Sequence, residues 1–188
     1  RFILNRANMK YVLVVTVIIL FLSSFCFGQK DEWKEFTSKG SKFSINFPAI
    51  PQESKTKMPD GGNRYIFSVR ESKRLLAVQV SDLTKTSGPL NEAALSVFYT
   101  IARQGGLDAL KGSKLISETD IRLKGLLGRD YTIGNDETVM MRRVFMTEDR
   151  LYLISVTVPK TQEKDAGVAE TLAKFFNSFH LLTASPGF

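Results

Sequence analysis

The strongest constraint on the fold comes from two segments in the second half of the chain, residues 138–146 and 150–158. One face of each segment is mostly apolar at every second position, and Thr147-Glu148-Asp149 joins them with turn-forming residues. This pattern is typical of an antiparallel hairpin that buries one face. Pro159 ends the second strand, because proline lacks the N–H that a sheet requires. The chain must therefore build much of its core around an antiparallel sheet.

Further segments with a period of two predict more strands. They are residues 33–36 (a short strand or an arm), 43–47, 54–58, 64–69, 75–83, 114–123 and 126–133, and residues 179–182 finish the domain. Turn-forming residues separate them, most clearly Pro59-Asp60-Gly61-Gly62-Asn63. We expect the first five strands to form an antiparallel meander, with residues 75–83 near the centre.

Two segments instead have the period of a helix. The first begins near Asn91, a plausible N-cap, and is expected to end at Gly105-Gly106, with a short further turn of helix at 107–111 as an addition. The second covers residues 165–178. Apolar stripes at helical spacing predict their buried faces: Ala94, Val97, Phe98, Ile101 and Ala102 in the first helix, and Val168, Ala169, Leu172, Phe175 and Phe176 in the second. The chain is thus predicted to be an α+β domain, a central antiparallel sheet flanked by helices.

The N-terminal segment predicts export. Met9-Lys10 precedes an apolar run from 11 to 22, and small residues follow near a cut site after Gly28. These are the parts of a secretory signal peptide, with residues 1–8 upstream of it. An uncleaved anchor over residues 11–27 is the alternative, and a lipid-modified Cys26 is less favoured. We expect one domain at 29–182, a loose tail at 183–188, and a periplasmic or secreted location.

Cleavage after Gly28 would limit the chemistry of the remaining domain. It removes Cys26, the only cysteine, so disulfides, iron–sulfur ligation and a cysteine nucleophile are excluded. It also removes three of the basic residues that give the full chain its net charge of +7. His180 is the only histidine, which argues against a zinc site and against a Ser–His–Asp arrangement. We predict no catalytic, metal or cofactor site, and therefore no enzyme.

Four arginines are the candidate binding residues: Arg64, Arg70, Arg129 and Arg143. Arg64 and Arg70 belong to a basic first half, for which an ordinary solvated sheet face is the simpler interpretation. Arg142 and Arg143 point to opposite faces of their strand. Apolar Val139 and Met141 share the face of Arg143, so an ion pair with a carboxylate such as Asp130 is favoured over a ligand-anchoring role.

Acidic and glycine-rich turns suggest no site by themselves. Asp136-Glu137 and Glu148-Asp149 lie in two hairpin turns, where side chains are usually solvated. Neither turn has the regular oxygen spacing of a calcium loop. Gly125 and Gly128 lie between strands, with no helix start behind them, so a tight connection is favoured over a phosphate-binding loop.

Several of these features occur in an order that resembles a known family. They are Phe43, Phe47, Pro48 and Pro51; Gly125, Gly128 and Arg129; Arg143, Phe145, Arg150, Leu151 and Tyr152; and Phe176, Ser178 and Phe179. Across residues 33–182 the pattern is similar to exported bacterial domains of the PsbP-like superfamily, named for an extrinsic subunit of photosystem II. The resemblance implies an α/β/α sandwich. It also implies binding of proteins rather than catalysis, and it transfers no residue role.

Two functions remain open at this point. The first is a non-enzymatic exported domain that binds a protein or envelope component, with no nucleic-acid partner and no membrane contact after cleavage. The alternative is a carrier of a small apolar or anionic ligand, held between sheet and helix. A pocket beside Arg143, lined by Met140, Met141 and Phe145, would favour the carrier. A packed core with an exposed apolar patch would favour the binding domain.

Overall fold

The computed structural model describes residues 33–83 and 92–182. The predicted signal peptide, the N-cap Asn91 and the tail at 183–188 lie outside these ranges. The strands, numbered in chain order, are β1 Lys34–Ser38, β2 Phe43–Phe47, β3 Gln52–Lys57, β4 Asn63–Glu71, β5 Arg74–Asp82, β6 Lys114–Leu123, β7 Leu126–Gly134, β8 Thr138–Met146, β9 Arg150–Pro159 and β10 His180–Leu181. The helices are α1 Glu92–Ala109 and α2 Ala166–Asn177, with a 3₁₀ turn at Lys160–Gln162.

Seven strands form one antiparallel sheet in the order β3-β4-β5-β9-β8-β7-β6. The predicted hairpin of β8 and β9 lies near its centre, with Arg143 opposite Ile154 and Phe145 opposite Tyr152. The β6–β7 connection is a two-residue turn in which Lys124 and Gly125 both have positive φ. This geometry suits a tight hairpin, so the expected tight connection is confirmed.

One face of this sheet is covered by a second sheet and by α2. The second sheet has the order β1-β2-β10 and is also antiparallel. Its Phe43 ring lies 5.3 Å from Phe67 of β4, and Phe47 lies 5.2 Å from Phe175 of α2. These rings belong to the larger hydrophobic cluster of the core, which extends to Ile154 and Val156 of β9. We call this side of the seven-stranded sheet the inner face.

Helix α1 lies on the opposite side, which we call the outer face. Tyr99 and Ala102 pack against Tyr131 and Ile133 of β7 and against neighbouring apolar side chains. The Tyr99 hydroxyl donates to the Leu127 carbonyl at 2.6 Å, and the Tyr131 hydroxyl donates to the Tyr99 carbonyl at 2.7 Å. These two hydrogen bonds fix the rotation of α1 about its axis.

The prediction of an α+β domain built on antiparallel strands is confirmed, but the finer prediction of a helix-flanked sandwich is too rich in helix. On the inner face a three-stranded sheet shares with α2 the position expected for helices alone. The predicted five-strand meander is also wrong in part. Strands β1 and β2 leave the main sheet because β2 pairs with β10, which follows it by more than 130 residues.

Two predictions about α1 are wrong. The helix continues through Gly105 and Gly106 to Ala109, because Gly106 permits close packing instead of ending the helix. A Cβ at Gly106 would lie 2.8 Å from the Ile133 side chain. The predicted buried stripe is also wrong in part, since Ala102 is buried as expected but Val97 and Ile101 are each 59% exposed. Within the described ranges, neither helix is long and apolar enough to cross a bilayer.

Candidate functional site

The four candidate arginines do not form one cluster. Arg64 and Arg70 are exposed and lie on the outer face of β4, six residues apart. At about 3.3 Å per residue they are separated by roughly 20 Å. The other basic residues of the first half lie elsewhere. Lys55 is 5.2 Å from the Tyr65 ring centre, and Arg74 donates to Thr171 of α2. The basic first half is therefore not a single patch.

Arg129 is held in an ion-pair network on the outer face. Its guanidinium contacts Glu118 and Asp120 of β6, and it lies 5.7 Å from the centre of the Tyr99 ring. Glu118 also accepts a hydrogen bond from Arg103 of α1 at 2.8 Å. Although burial opposes the effect, the two arginines hold the pKa of Glu118 below its ordinary value. Arg129 thus joins β7 to β6 and helps to seat α1, which leaves it little capacity for a ligand.

Arg143 forms the ion pair that the sequence predicts. Its Nε lies 3.1 Å from Oδ1 and 3.3 Å from Oδ2 of Asp130, the residue opposite it on β7. The guanidinium carbon is 4.8 Å from the centre of the Phe176 ring of α2. Burial raises the pKa of Asp130, and Arg143 counteracts this in part. Arg143 therefore joins sheet and helix, and its charge is already compensated.

An open groove of about 470 Å³ lies beside this ion pair on the inner face. Hydroxyl groups of Ser117, Thr119 and Thr132 line one side, and Leu172 and Phe176 of α2 line the other. Among the three residues expected beside Arg143, Met141 lines the groove. Phe145 is instead buried against Phe179, at 5.9 Å between ring centres. Met140 points to the outer face.

Arg142 is not among the four arginines predicted to bind a ligand or partner. On the outer face its guanidinium lies in a second groove, of about 310 Å³, that Met140 and Leu153 also line. Its nearest polar contact is the sulfur of Met140, at 3.1 Å from Nη2. The signal was present in the sequence, because Met140 and Val144 flank Arg142 on one face just as Val139 and Met141 flank Arg143.

Apolar side chains on α1 form an exposed surface. Val97 and Ile101 are one helical turn apart, and Phe98 beside them is half-buried. We call Val97 and Ile101 the α1 patch. Ile50 is 90% exposed but lies apart, between β2 and β3. The α1 patch is thus an apolar surface on a regular element, where a partner can pack against it.

The structure places the single histidine and both acidic turns of the sequence. His180 is exposed on the short strand β10, where it pairs with Ser44. The turns that hold Asp136 and Asp149 lie at opposite ends of β8, about 25–30 Å apart at the usual rise per residue. Asp149 is bonded to Lys42 at 2.7 Å. Across 33–83 and 92–182, no three histidine, cysteine or acidic side chains are grouped to hold a metal.

Comparison with known proteins establishes the fold. The cyanobacterial PsbP protein CyanoP, from a Synechocystis species, has a similar solution structure. The TM-score is 0.56 at 17% identity, and the match covers 83% of this chain and 96% of CyanoP. The chain has a PsbP-like fold. The expectation from the sequence is thereby confirmed for the architecture.

Other solved structures are more distantly similar to this PsbP-like domain. The yeast Ran-binding protein Mog1p, from Saccharomyces cerevisiae, gives a TM-score of 0.45 at 14% identity over 80% of this chain and 96% of its own. A protein of unknown function from Pseudomonas aeruginosa gives 0.44 at 13% identity over 82% and 99%. No family model and no curated protein matches the sequence.

Proposed function

We propose that this PsbP-like domain is a non-enzymatic binding module that works outside the cytoplasm and docks a protein partner through the α1 patch. The N-terminal apolar run supports export. The arrangement of titratable groups described above supports binding in place of catalysis. An envelope component other than a protein is the alternative partner.

The observation that carries this proposal is the exposure of Val97 and Ile101. Tyr99 and Ala102 provide the buried packing of α1 on the sheet, so most of the surface of Val97 and Ile101 is open to a partner. Burying a fully exposed large apolar side chain contributes about 1.5–3 kcal/mol, so covering the 59% exposed Val97 and Ile101 can supply part of the free energy of binding. The exposed Arg64 and Arg70 lie on the same side of the sheet and are free to orient an acidic partner.

Capture from an envelope extract tests the proposal. The full 188-residue chain is immobilised, and bound proteins are compared between the parent, a Val97→Ser/Ile101→Ser variant and an Ile50→Ser variant. We expect the α1 variant to lose the captured protein and the Ile50 variant to retain it. Equal capture by all three proteins contradicts docking through α1.

A second candidate function, a carrier of a small ligand, is favoured by the grooves beside Arg143 and Arg142. Each lies between the seven-stranded sheet and a helix, as the sequence interpretation required of a carrier pocket. The groove beside Arg143 is the larger, but its arginine is paired with Asp130. An uncharged ligand that bonds to the strand hydroxyls suits that groove better than an anion.

A further inference from the structure

We infer that the outer-face groove around Arg142 is a binding site for an aliphatic carboxylate. The site, which we call the Arg142 groove, is formed by the central strands of the sheet and by the end of α1. Its lining consists of Ile66 of β4; Leu75, Ala77 and Gln79 of β5; Leu153, Ser155 and Thr157 of β9; Met140 and Arg142 of β8; and Ala109 and Leu110.

The walls of the groove suit a hydrocarbon chain. Leucine, isoleucine, methionine and alanine side chains predominate, and polar groups are few. Its volume of about 310 Å³ is at the small end of the roughly 300–1,000 Å³ typical of ligand pockets. The floor is open because small residues lie across the sheet from Arg142. Ser155 is directly opposite it on β9, and Ala77 is opposite Ser155 on β5.

Arg142 is a mostly buried cation without a compensating anion. Among the described residues no carboxylate pairs with its guanidinium, and its Nε has no hydrogen-bond partner. No carboxylate lines the groove. Burial lowers the pKa of Arg142, but an arginine side chain remains protonated in proteins. An unpaired buried charge is costly, so the site favours any anion that reaches it.

The form of the guanidinium identifies the anion. Its planar fork of N–H donors matches the two oxygens of a carboxylate. A single arginine compensates one negative charge, which a carboxylate carries and a phosphate monoester exceeds. Arg70, opposite Leu75 on β4, is exposed and does not belong to the lining, so it attracts anions from solution without pairing with a bound one. The guanidinium selects a ligand with a carboxylate, and the apolar walls select one with a hydrocarbon chain. Together they specify a short fatty acid or a similar amphiphile.

This inference develops the carrier function and does not depend on the α1 patch. Met140 and Met141 provide separate reporters, because adjacent residues on β8 line different grooves. The two proposed functions can therefore fail separately. An Arg142→Gln variant should retain protein capture, and the Val97→Ser/Ile101→Ser variant should retain carboxylate binding.

The test titrates the full chain with sodium decanoate, below its micelle concentration, by isothermal calorimetry and by NMR of methionine methyl groups. We expect saturable binding that shifts the Met140 methyl signal and leaves that of Met141 in place. Arg142→Gln should weaken binding at least tenfold, and Arg142→Lys should weaken it less. Arg122→Gln, at an exposed position on β6, is the matched control and should bind as the parent does.

One uncharged analogue, decanol, and one doubly charged analogue, decyl phosphate, complete the test. Decanol and decyl phosphate should each bind at least tenfold more weakly than decanoate. Urea unfolding of each variant establishes that it is folded. The inference is overturned if Arg142→Gln binds decanoate as tightly as the parent. It is equally overturned if decanol matches decanoate, if only the Met141 signal shifts, or if decanoate does not bind at all.

Discussion

Replacing Arg142 or Arg143 by methionine should change stability in opposite directions, although the two residues are adjacent on β8. Methionine keeps a long flexible side chain and removes the charge, so the substitution is the same at both positions. What differs is the surroundings. Arg143 is bonded to Asp130 at 3.1 Å, whereas among the described residues the side chain of Arg142 bonds only to the sulfur of Met140, at 3.1 Å.

The expected magnitudes follow from these contacts. Exchange of a buried ion pair for apolar side chains of similar volume is often stabilising by about 1–4 kcal/mol, and a buried charge without a partner lacks even the attraction within the pair. Because Arg142 retains partial exposure, we expect Arg142→Met to raise the free energy of unfolding by about 1 kcal/mol. Arg143→Met leaves the carboxylate of Asp130 partly buried and unpaired. Since both side chains are about 30% exposed, we expect a loss of about 1–2 kcal/mol.

Urea unfolding of the full chain, followed by circular dichroism at pH 7, measures both variants. In a domain of this size 1 kcal/mol corresponds to about 2–4 °C in Tm, so thermal scans resolve the difference as well. A loss of stability in Arg142→Met equal to that in Arg143→Met would refute the reasoning, because it would mean that Arg142 has a stabilising partner in the folded chain. A stabilised Arg142→Met that also loses decanoate binding would mark Arg142 as a residue kept for function.

Three further predictions concern the core and the α1 contact. Phe175→Ala removes a ring with no solvent exposure and should lower the free energy of unfolding by about 3–5 kcal/mol in urea. Tyr131→Phe removes the 2.7 Å bond to the Tyr99 carbonyl and should cost about 1–2 kcal/mol. A cost near zero would mean that this bond does not hold α1. Glu118 stabilises the fold in its ionised form, since its pKa is lowered. Its contribution is complete above pH 4.5 and is lost as pH falls through the lowered pKa, so Glu118→Gln should flatten the acid limb of a plot of urea midpoint against pH.

Local patterns were sufficient to predict most of the strands. Strands β2, β6 and β8 have the predicted bounds, because alternation and turn residues are both local properties of the chain. The partition into two sheets was not predictable in this way. It depends on the pairing of β10 with β2, two strands that are distant in sequence, and β10 itself is only two residues long.

The orientation of α1 shows a different limit. The helix carries two overlapping apolar stripes, one with Val97 and Ile101 and another with Leu95, Tyr99 and Ala102. Helical periodicity identifies both stripes but does not say which one meets the sheet. The hydrogen bond from Tyr99 to the Leu127 carbonyl favours the second. Because the second stripe meets the sheet, Val97 and Ile101 of the first stripe remain exposed. That exposure is the basis of the proposed function.

The sequence predicts the surroundings of Arg143 but not those of Arg142. The ion pair of Arg143 with Asp130 follows from the strand period and from the identity of the facing residue, both visible in the sequence. The unpaired state of Arg142 depends on the absence of a carboxylate from the described strands and helix that surround it. That property emerges only when β5, β9 and α1 are placed beside it.

Photo-crosslinking in intact cells tests the central claim, that this domain docks a protein through α1, most directly. The photoreactive amino acid benzoylphenylalanine is placed at Val97 in one variant and at Ile50 in another, both exposed positions. The account predicts one discrete crosslinked product from position 97 that is absent from position 50. No product at either position, or the same products at both, would contradict it.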